Sequence, residues 1–271
     1  MPNKSITVPA HGKVNWTLDV HAKRSDGLHE IRSVMQRIEL ADQLTFEIGE
    51  PGIRLRIIGP ESNGVPADES NIVWKTAVAL GVDGVDITVD KKLPNQAGLG
   101  GGSSDAASTL LALNELFGLA LDDVEIRKKA VTLGADVSFF LQNRPAIVGG
   151  YGDIVTPIDD GKSIGIVILK PDVGVSTSEA YSALDHYPNR LSKNATASWP
   201  HSPPSNDFEE VVFALYPDIS EARRALYDAG VDGAMLCGSG AAMMGWGPDI
   251  SETAKMLQVA GYEKVWLTRT I

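Results

Sequence analysis

The chain has 271 residues, 43% of them hydrophobic and 22% charged, with a formal net charge of −11. That length suits one large domain or two ordinary ones with a substantial core, and the acidic balance argues against a broad surface for nucleic acid or anionic lipid. A lone cysteine, Cys237, excludes an intrachain disulfide and CxxC metal chemistry, and the five histidines show no HExxH spacing.

The opening residues MPNKSITVPA lack the apolar centre of a signal peptide, and no apolar run reaches membrane-spanning length. A protein of the reducing cytoplasm, without a membrane partner, is the expectation. Val14, Trp16, Leu18 and Val20 alternate with Asn15, Thr17 and Asp19, a period of two that predicts a half-buried strand. Asp26-Gly27 then supplies a turn. Residues 44–48 and 53–58 read as strands joined by the turn-like GEPG, and SNIVWKTAVAL reads as a helix capped by Ser70 or Asn71.

Residues 85–89 alternate again and lead into LPNQAGLGGGSS. Beyond it, Ala107, Leu110, Leu111, Asn114 and Phe117 fall on one helical face, and a second helix is expected over 124–133. The second half opens with the apolar strand IGIVIL. The proline-containing stretch from His186 to Asn206 reads as a loop, and DISEARRALYDAG as a helix ending at Gly230. AMLCGSGAAMMGW predicts two strands around a glycine turn, followed by a helix and a last strand. Two mixed α/β halves, divided between Asp153 and Ser163, account for this order.

Four glycines in five residues, Gly98 to Gly102, cost backbone entropy unless the main chain must approach something closely. Strand, glycine loop and helix together form an arrangement in which amide N–H groups and a helix dipole bind an anion. Ser103 or Ser104 could cap the helix and present a hydroxyl to a phosphate oxygen or metal-bound water. No lysine follows as in a Walker loop, and GxGxxG fails at Ser103. The junction favours phosphate binding over a merely flexible turn. Other polar residues have plainer readings when taken singly: Lys13 as a solvated lysine, Asp136 in LGADVSFFL as a helix N-cap, His29 in DGLHE as a turn residue. The Gly238-Ser239-Gly240 turn needs no function to explain it.

Taken together, PAHGKVN, DGLHE, GLGGGSSDAA, LGADVSFFL, SNDFE and LCGSGAAMMG occur in an order that resembles the GHMP kinase superfamily, nearly from end to end. Within it, DGLHE and GADV are similar to the branch that phosphorylates a cytidine-diphosphate sugar alcohol in non-mevalonate isoprenoid synthesis. The resemblance implies an α+β fold of two domains: residues 1–155 like the second domain of ribosomal protein S5, and residues 156–271 ferredoxin-like. It implies ATP with Mg²⁺ as cofactor, metal ligands unspecified, small-molecule partners only, and a monomer or homodimer.

Carried over by motif, the resemblance makes Asp136 the general base and sets Lys13 beside it to favour the developing alkoxide. It wraps the ATP phosphates in Pro94, Asn95, Gln96, Ala97, Gly98, Leu99, Gly100, Gly101, Gly102, Ser103 and Ser104. Asn15, Leu28, His29 and Tyr181 would meet the cytidylyl substrate, and Gly238, Ser239 and Gly240 would close the site. Leu28 stands where the branch usually has a stacking tyrosine, Met35 where some members carry an aromatic, and Ser138 where proline is common. These departures bear on substrate identity, so a GHMP kinase for another small alcohol, or a non-catalytic nucleotide sensor, are the alternatives.

Overall fold

The computed structural model describes residues 5–159, 163–187, 194–198, 201 and 203–271. A long hairpin of β1 (Ser5–Lys23) and β2 (His29–Ile48) forms its spine, closed at Asp26-Gly27 with Gly27 at φ 86°. Along these strands of 19 and 20 residues, register shifts, which bend a strand, interrupt the pairing at His11/Lys13, Asn15/Thr17 and Val20/Lys23. The far edge of β2 is shared: its second half pairs with β4 (Val85–Asp90) and its first half with β5 (Ala146–Gly149). Strand β3 (Ile53–Ile58) lies parallel to β4, so GEPG does not make a hairpin. Strand β6 (Ile154–Pro157) pairs with β5. A division after residue 155 would cut β6, all four residues of which are paired.

Helix α1 (Ile72–Leu80) is capped by Asn71, whose side chain accepts from the Val73 amide at 2.8 Å. Helix α2 (Gly101–Leu116) begins earlier than expected. Gly100, at φ 72°, is its N-cap, and Ser103 and Ser104 lie inside its first turn without capping it. The left-handed Gly100 lets its carbonyl accept from Ser104 N–H at 2.9 Å, which starts the helical ladder before the serines. The inward face also differs: Leu111 is exposed while Leu113 and Leu116 are buried. Contact with α1 on one side and with β1 and a 3₁₀ turn (Ala135–Leu141) on others buries more than one stripe. Helix α3 (Asp123–Leu133) starts with a full Asp122/Glu125 capping box.

The second sheet holds β7 (Gly165–Leu169), β9 (Gly233–Leu236), β10 (Met243–Trp246) and β11 (Val265–Arg269) in the order β11-β7-β10-β9, all antiparallel. With α4 (Thr177–His186), α5 (Glu209–Leu215) and α6 (Pro217–Asp228) between β7 and β9, and α7 (Ile250–Val259) between β10 and β11, this is the expected ferredoxin-like βαββαβ order. Among the described residues no helix is long and apolar enough to cross a membrane.

Two short elements emerge from the expected 186–206 loop: a 3₁₀ turn (Ala195–Ser198) and β8 (Ser205–Asn206), which pairs with β1 in parallel; residues 188–193, 199, 200 and 202 of that loop lie outside the described residues. The turn corrects the half-buried reading of β1, because Val14 through Val20 are all buried. Asp19 accepts from the amides of Ala195 and Thr196, both at 2.9 Å, and Thr17 bonds Thr196 at 2.6 Å. The polar face of the strand is thus covered but satisfied.

Candidate active site

A cleft of ≈ 870 Å³ opens between the glycine loop, the inner residues of β1 and helix α4, at the upper end of small-ligand sites. The glycines around it do two different jobs. A β-carbon on Gly98 (φ 76°) would stand 1.7 Å from the Cys237 carbonyl oxygen, and one on Gly240 would stand 2.1 Å from the Gly98 nitrogen. At Gly100 it would meet Phe140 at 2.9 Å and the Lys13 stem at 3.0 Å. These positions are small because protein packs on them. Gly101 and Gly102 have no such neighbour: the nearest atoms to an added β-carbon lie at 3.5 and 3.8 Å. Both line the cleft with Ser103, and Ser104 N–H is the amide that bonds back to Gly100. The amides of residues 101–103 therefore form the unpaired N-terminus of a 16-residue helix facing the cleft, the geometry that attracts a phosphate.

Lys13 is buried on β1, its amide donating to the Leu99 carbonyl at 2.8 Å. Its Nζ donates to Asn15 Oδ1 at 2.7 Å and lies 3.6 Å from Asp136 Oδ2. Asn15 in turn donates to Ser33 Oγ at 2.8 Å, and Ser33 to the Thr17 carbonyl at 2.6 Å. Asn15 lines the cleft and also fixes where the ammonium sits. Asp136, the second residue of its 3₁₀ turn, keeps 27% of its side chain exposed. A part-open carboxylate beside a buried, oriented cation can accept a proton from a hydroxyl and offset the charge that develops on it.

Beneath the loop, Lys91 is held between two buried carboxylates. It donates to Asp42 and, at 2.8 Å, to Asp105 in the first turns of α2. Asp42 also accepts the amides of Lys92 at 2.6 Å and Leu93 at 2.8 Å, which ties the start of the glycine loop to β2. Burial pushes the Asp105 carboxyl up to about 7 despite Lys91. Burial pushes Lys91 down, but the two carboxylates outweigh it and hold the ammonium above its ordinary value.

At the hairpin end, His29 is buried and its Nε2 bonds Asp185 at 2.6 Å. The His29 ring stacks on Tyr181 at 4.8 Å and 29°, and Tyr181 meets Phe208 edge-on at 4.9 Å. Lys23 donates to the other Asp185 oxygen at 3.0 Å. Burial pushes Asp185 up, yet the bonds from His29 and Lys23 hold it below the usual carboxylate range. Leu28 sits at the rim, 47% exposed, and Met35 lines the wall.

Of the residues singled out in the sequence, the fold brings Lys13, Asn15, Leu28, His29, Tyr181, Asp136 and residues 94–103 to one cleft, together with Gly238 and Ser239. Ser104 is buried inside α2 and Gly240 under Gly98, so neither lines it. Lys91, Asp185 and Thr177, which accepts from Ser239 Oγ at 3.1 Å, also line it, although no sequence motif singles them out. Lys91 abuts the glycine loop in sequence and could have been suspected; Asp185 carries no local signal.

Comparison with known proteins finds two family domains along the chain. Residues 71–144 match the model of the GHMP kinases N terminal domain, and residues 181–258 that of the GHMP kinases C terminal. A 4-diphosphocytidyl-2-C-methyl-D-erythritol kinase of Geobacter sulfurreducens is 42% identical over 251 residues, 88% of each chain. That of Moorella thermoacetica is 34% identical, covering 98% of this chain and 99% of its own. A crystal structure of 4-(cytidine 5'-diphospho)-2C-methyl-D-erythritol kinase superposes with a TM-score of 0.80 at 32% identity, over 98% of this chain and 99% of that one. A homoserine kinase of Cytophaga hutchinsonii shares the fold, with a TM-score of 0.72 at 19% identity over 99% of this chain and 95% of that one.

Proposed function

The chain belongs to the GHMP kinases, and from that premise we propose that it transfers the γ-phosphoryl group of ATP to the 2-hydroxyl of 4-diphosphocytidyl-2-C-methyl-D-erythritol. This is a step of non-mevalonate isoprenoid synthesis. The observation that carries the reading is the placement of the Lys13–Asp136 pair, 3.6 Å apart, in one cleft with a helix N-terminus and a His29–Tyr181 ring stack.

In this reading the amides of Gly101, Gly102 and Ser103 hold ATP phosphate oxygens. The acceptor hydroxyl lies against Asp136. As its oxygen bonds to the γ-phosphorus, the bond from that phosphorus to the β–γ bridging oxygen breaks, the proton passes to Asp136, and ADP leaves. Lys13 faces the acceptor oxygen as negative charge gathers there. Catalysis of this kind rests on positioning and charge stabilisation more than on a strong base. The stack of His29 and Tyr181, braced by Asp185, presents aromatic and polar groups for a nucleobase.

Mg²⁺ is the expected companion of ATP, and it is held mainly by phosphates and water with one or two protein oxygens. The cleft offers oxygens suited to that mode, since Asp136 and Ser103 both line it. The ion would neutralise phosphate charge during transfer. A cytoplasmic setting, as monomer or homodimer, is part of the same proposal; a lone free cysteine, Cys237, is compatible with a reducing compartment.

ADP release with ATP, Mg²⁺ and the cytidylyl alcohol, beside mevalonate, homoserine and galactose, tests the proposal. Turnover confined to the cytidylyl alcohol is expected. Turnover with another alcohol would move the substrate, and ATP binding without turnover on any would leave a sensor.

A further inference from the structure

Strand register sets Arg37 of β2 directly opposite Lys13 of β1, so both side chains leave the same face of the sheet. The guanidinium does not pair with a carboxylate among the described residues. It donates instead through Nη2 to the Phe140 carbonyl and through Nη1 to Asn143 Oδ1 at 2.7 Å, and its Cζ lies 5.8 Å from the centre of the Phe140 ring. Its Nε is buried without a partner, and burial pushes its pKa down. A partly desolvated cation with an orphaned N–H costs stability. An apolar side chain of similar length would avoid that cost, so stability alone does not explain an arginine here.

What Arg37 grips is the turn that carries Asp136. Asp136 is the second residue of Ala135–Leu141 and Phe140 the sixth. The start of the turn is loosely held, with Val137 N–H reaching the Gly134 carbonyl at 3.3 Å and no side-chain cap. Its end is firm: Phe139 and Phe140 are buried and meet edge-on at 5.1 Å. A cation on the last carbonyls of a helical turn is favourably placed. The Phe140 ring also reaches the point where a Gly100 β-carbon would touch the Lys13 stem. Arg37, Phe140, Gly100 and Lys13 therefore form one packed path between the cation and the turn of the base.

We propose that Arg37 is a positioning residue for phosphoryl transfer: from the strand position opposite Lys13, it clamps the Phe140 carbonyl and so fixes Asp136 at its distance from Lys13. The inference rests on the kinase reading above. A displacement of ~1 Å at a catalytic group costs roughly 10²-fold in rate, so the clamp would be read in turnover rather than in substrate binding.

The test uses the full chain with Arg37→Met, which keeps length but removes the donors, and Arg37→Lys, which keeps one cationic donor. Steady-state kinetics are measured for both substrates, with backbone hydrogen exchange over residues 134–143. Arg37→Met should lower kcat by roughly 10–100-fold, leave both KM values within about threefold, and speed exchange in that segment. Arg37→Lys should recover part of the lost kcat. Unchanged kcat, a loss carried by KM, or unaltered local exchange would overturn the proposal. Should Arg37→Met not fold, Arg37→Gln, which lacks the cation and the guanidinium fork, takes its place, and wild-type kcat and exchange in that variant would overturn the proposal equally. Failure of the wild-type chain to turn over any alcohol would sink the kinase reading separately, and exchange would then judge the clamp alone.

Discussion

Gly98 and Cys237 meet main chain to main chain: a β-carbon on Gly98 would stand 1.7 Å from the Cys237 carbonyl oxygen. The contact joins the glycine loop of the first sheet to the turn between β9 and β10 of the second. It separates the glycines that packing requires from those left to a ligand, and the two classes should respond differently to the same substitution.

Gly98→Ala combines a left-handed φ of 76° with that overlap. Overpacking costs ~1–3 kcal/mol and a left-handed non-glycine residue roughly 1–2 more, so the melting temperature should fall by roughly 5–15 °C. Gly102→Ala has no close neighbour and lies in a helix, where alanine gains ~1 kcal/mol. Its melting temperature should hold or rise, while KM for ATP rises roughly tenfold or more, because the added β-carbon holds a phosphate oxygen off the retained amide and weakens a charge-assisted bond worth ~1.5–3 kcal/mol. Calorimetry and initial rates on both variants decide; equal behaviour would mean that Gly102 does not face phosphate.

Asp136→Asn should reduce kcat by roughly 10²-fold or more, the usual size of a general acid–base contribution, with ATP affinity within a few-fold by titration. Near-normal turnover in that variant removes Asp136 from proton transfer.

Asp105 makes stability depend on pH. An unfolded aspartate titrates near ~3.9, whereas Asp105 in the folded chain is pushed up to about 7 by burial. Between these values the folded state holds the extra proton, so this group's contribution is greatest at the acid end and declines as pH rises toward 7. Denaturation midpoints from about pH 4 to 7 should therefore fall more steeply for the wild-type chain than for Asp105→Asn, and level off above that. Parallel curves would show that Lys91 keeps Asp105 ionised throughout.

Leu28→Tyr adds a ring at a half-exposed rim position beside the His29–Tyr181 stack. Base stacking on an aromatic is worth ~1–3 kcal/mol. The low end of that range predicts a KM for the cytidylyl alcohol about fivefold lower, with KM for ATP unchanged. A KM that stays put would place the base away from residue 28.

The local signals in the sequence were sound where the structure is local. The Asn71 cap, the alternation of Val85–Val89 and the Asp26-Gly27 turn each follow from neighbours within a few residues. What escaped depends on distant chain. The polar side of β1 is covered by residues some 176 positions away, and nothing in an alternating pattern announces that cover. Asp185 reaches His29 across 156 residues, and Lys91 reaches Asp42 across 49. In α2, the glycines looked like a loop because glycine disfavours helix interiors, yet a left-handed Gly100 starts the helix among them. Lys13 and Asp136 were each unremarkable alone, and only the packing of Phe140 and Gly100 against Lys13 shows why they sit together.

The contact of Gly98 with Cys237 and Gly240 has an evolutionary consequence. Each of its close approaches is to a main-chain atom, the Cys237 carbonyl on one side and the Gly98 amide on the other. No side-chain exchange across the interface can make room for a bulkier residue at either glycine. The two loops, some 140 residues apart in the gene, are therefore held to glycine jointly, and drift in the surrounding surface cannot release one without the other.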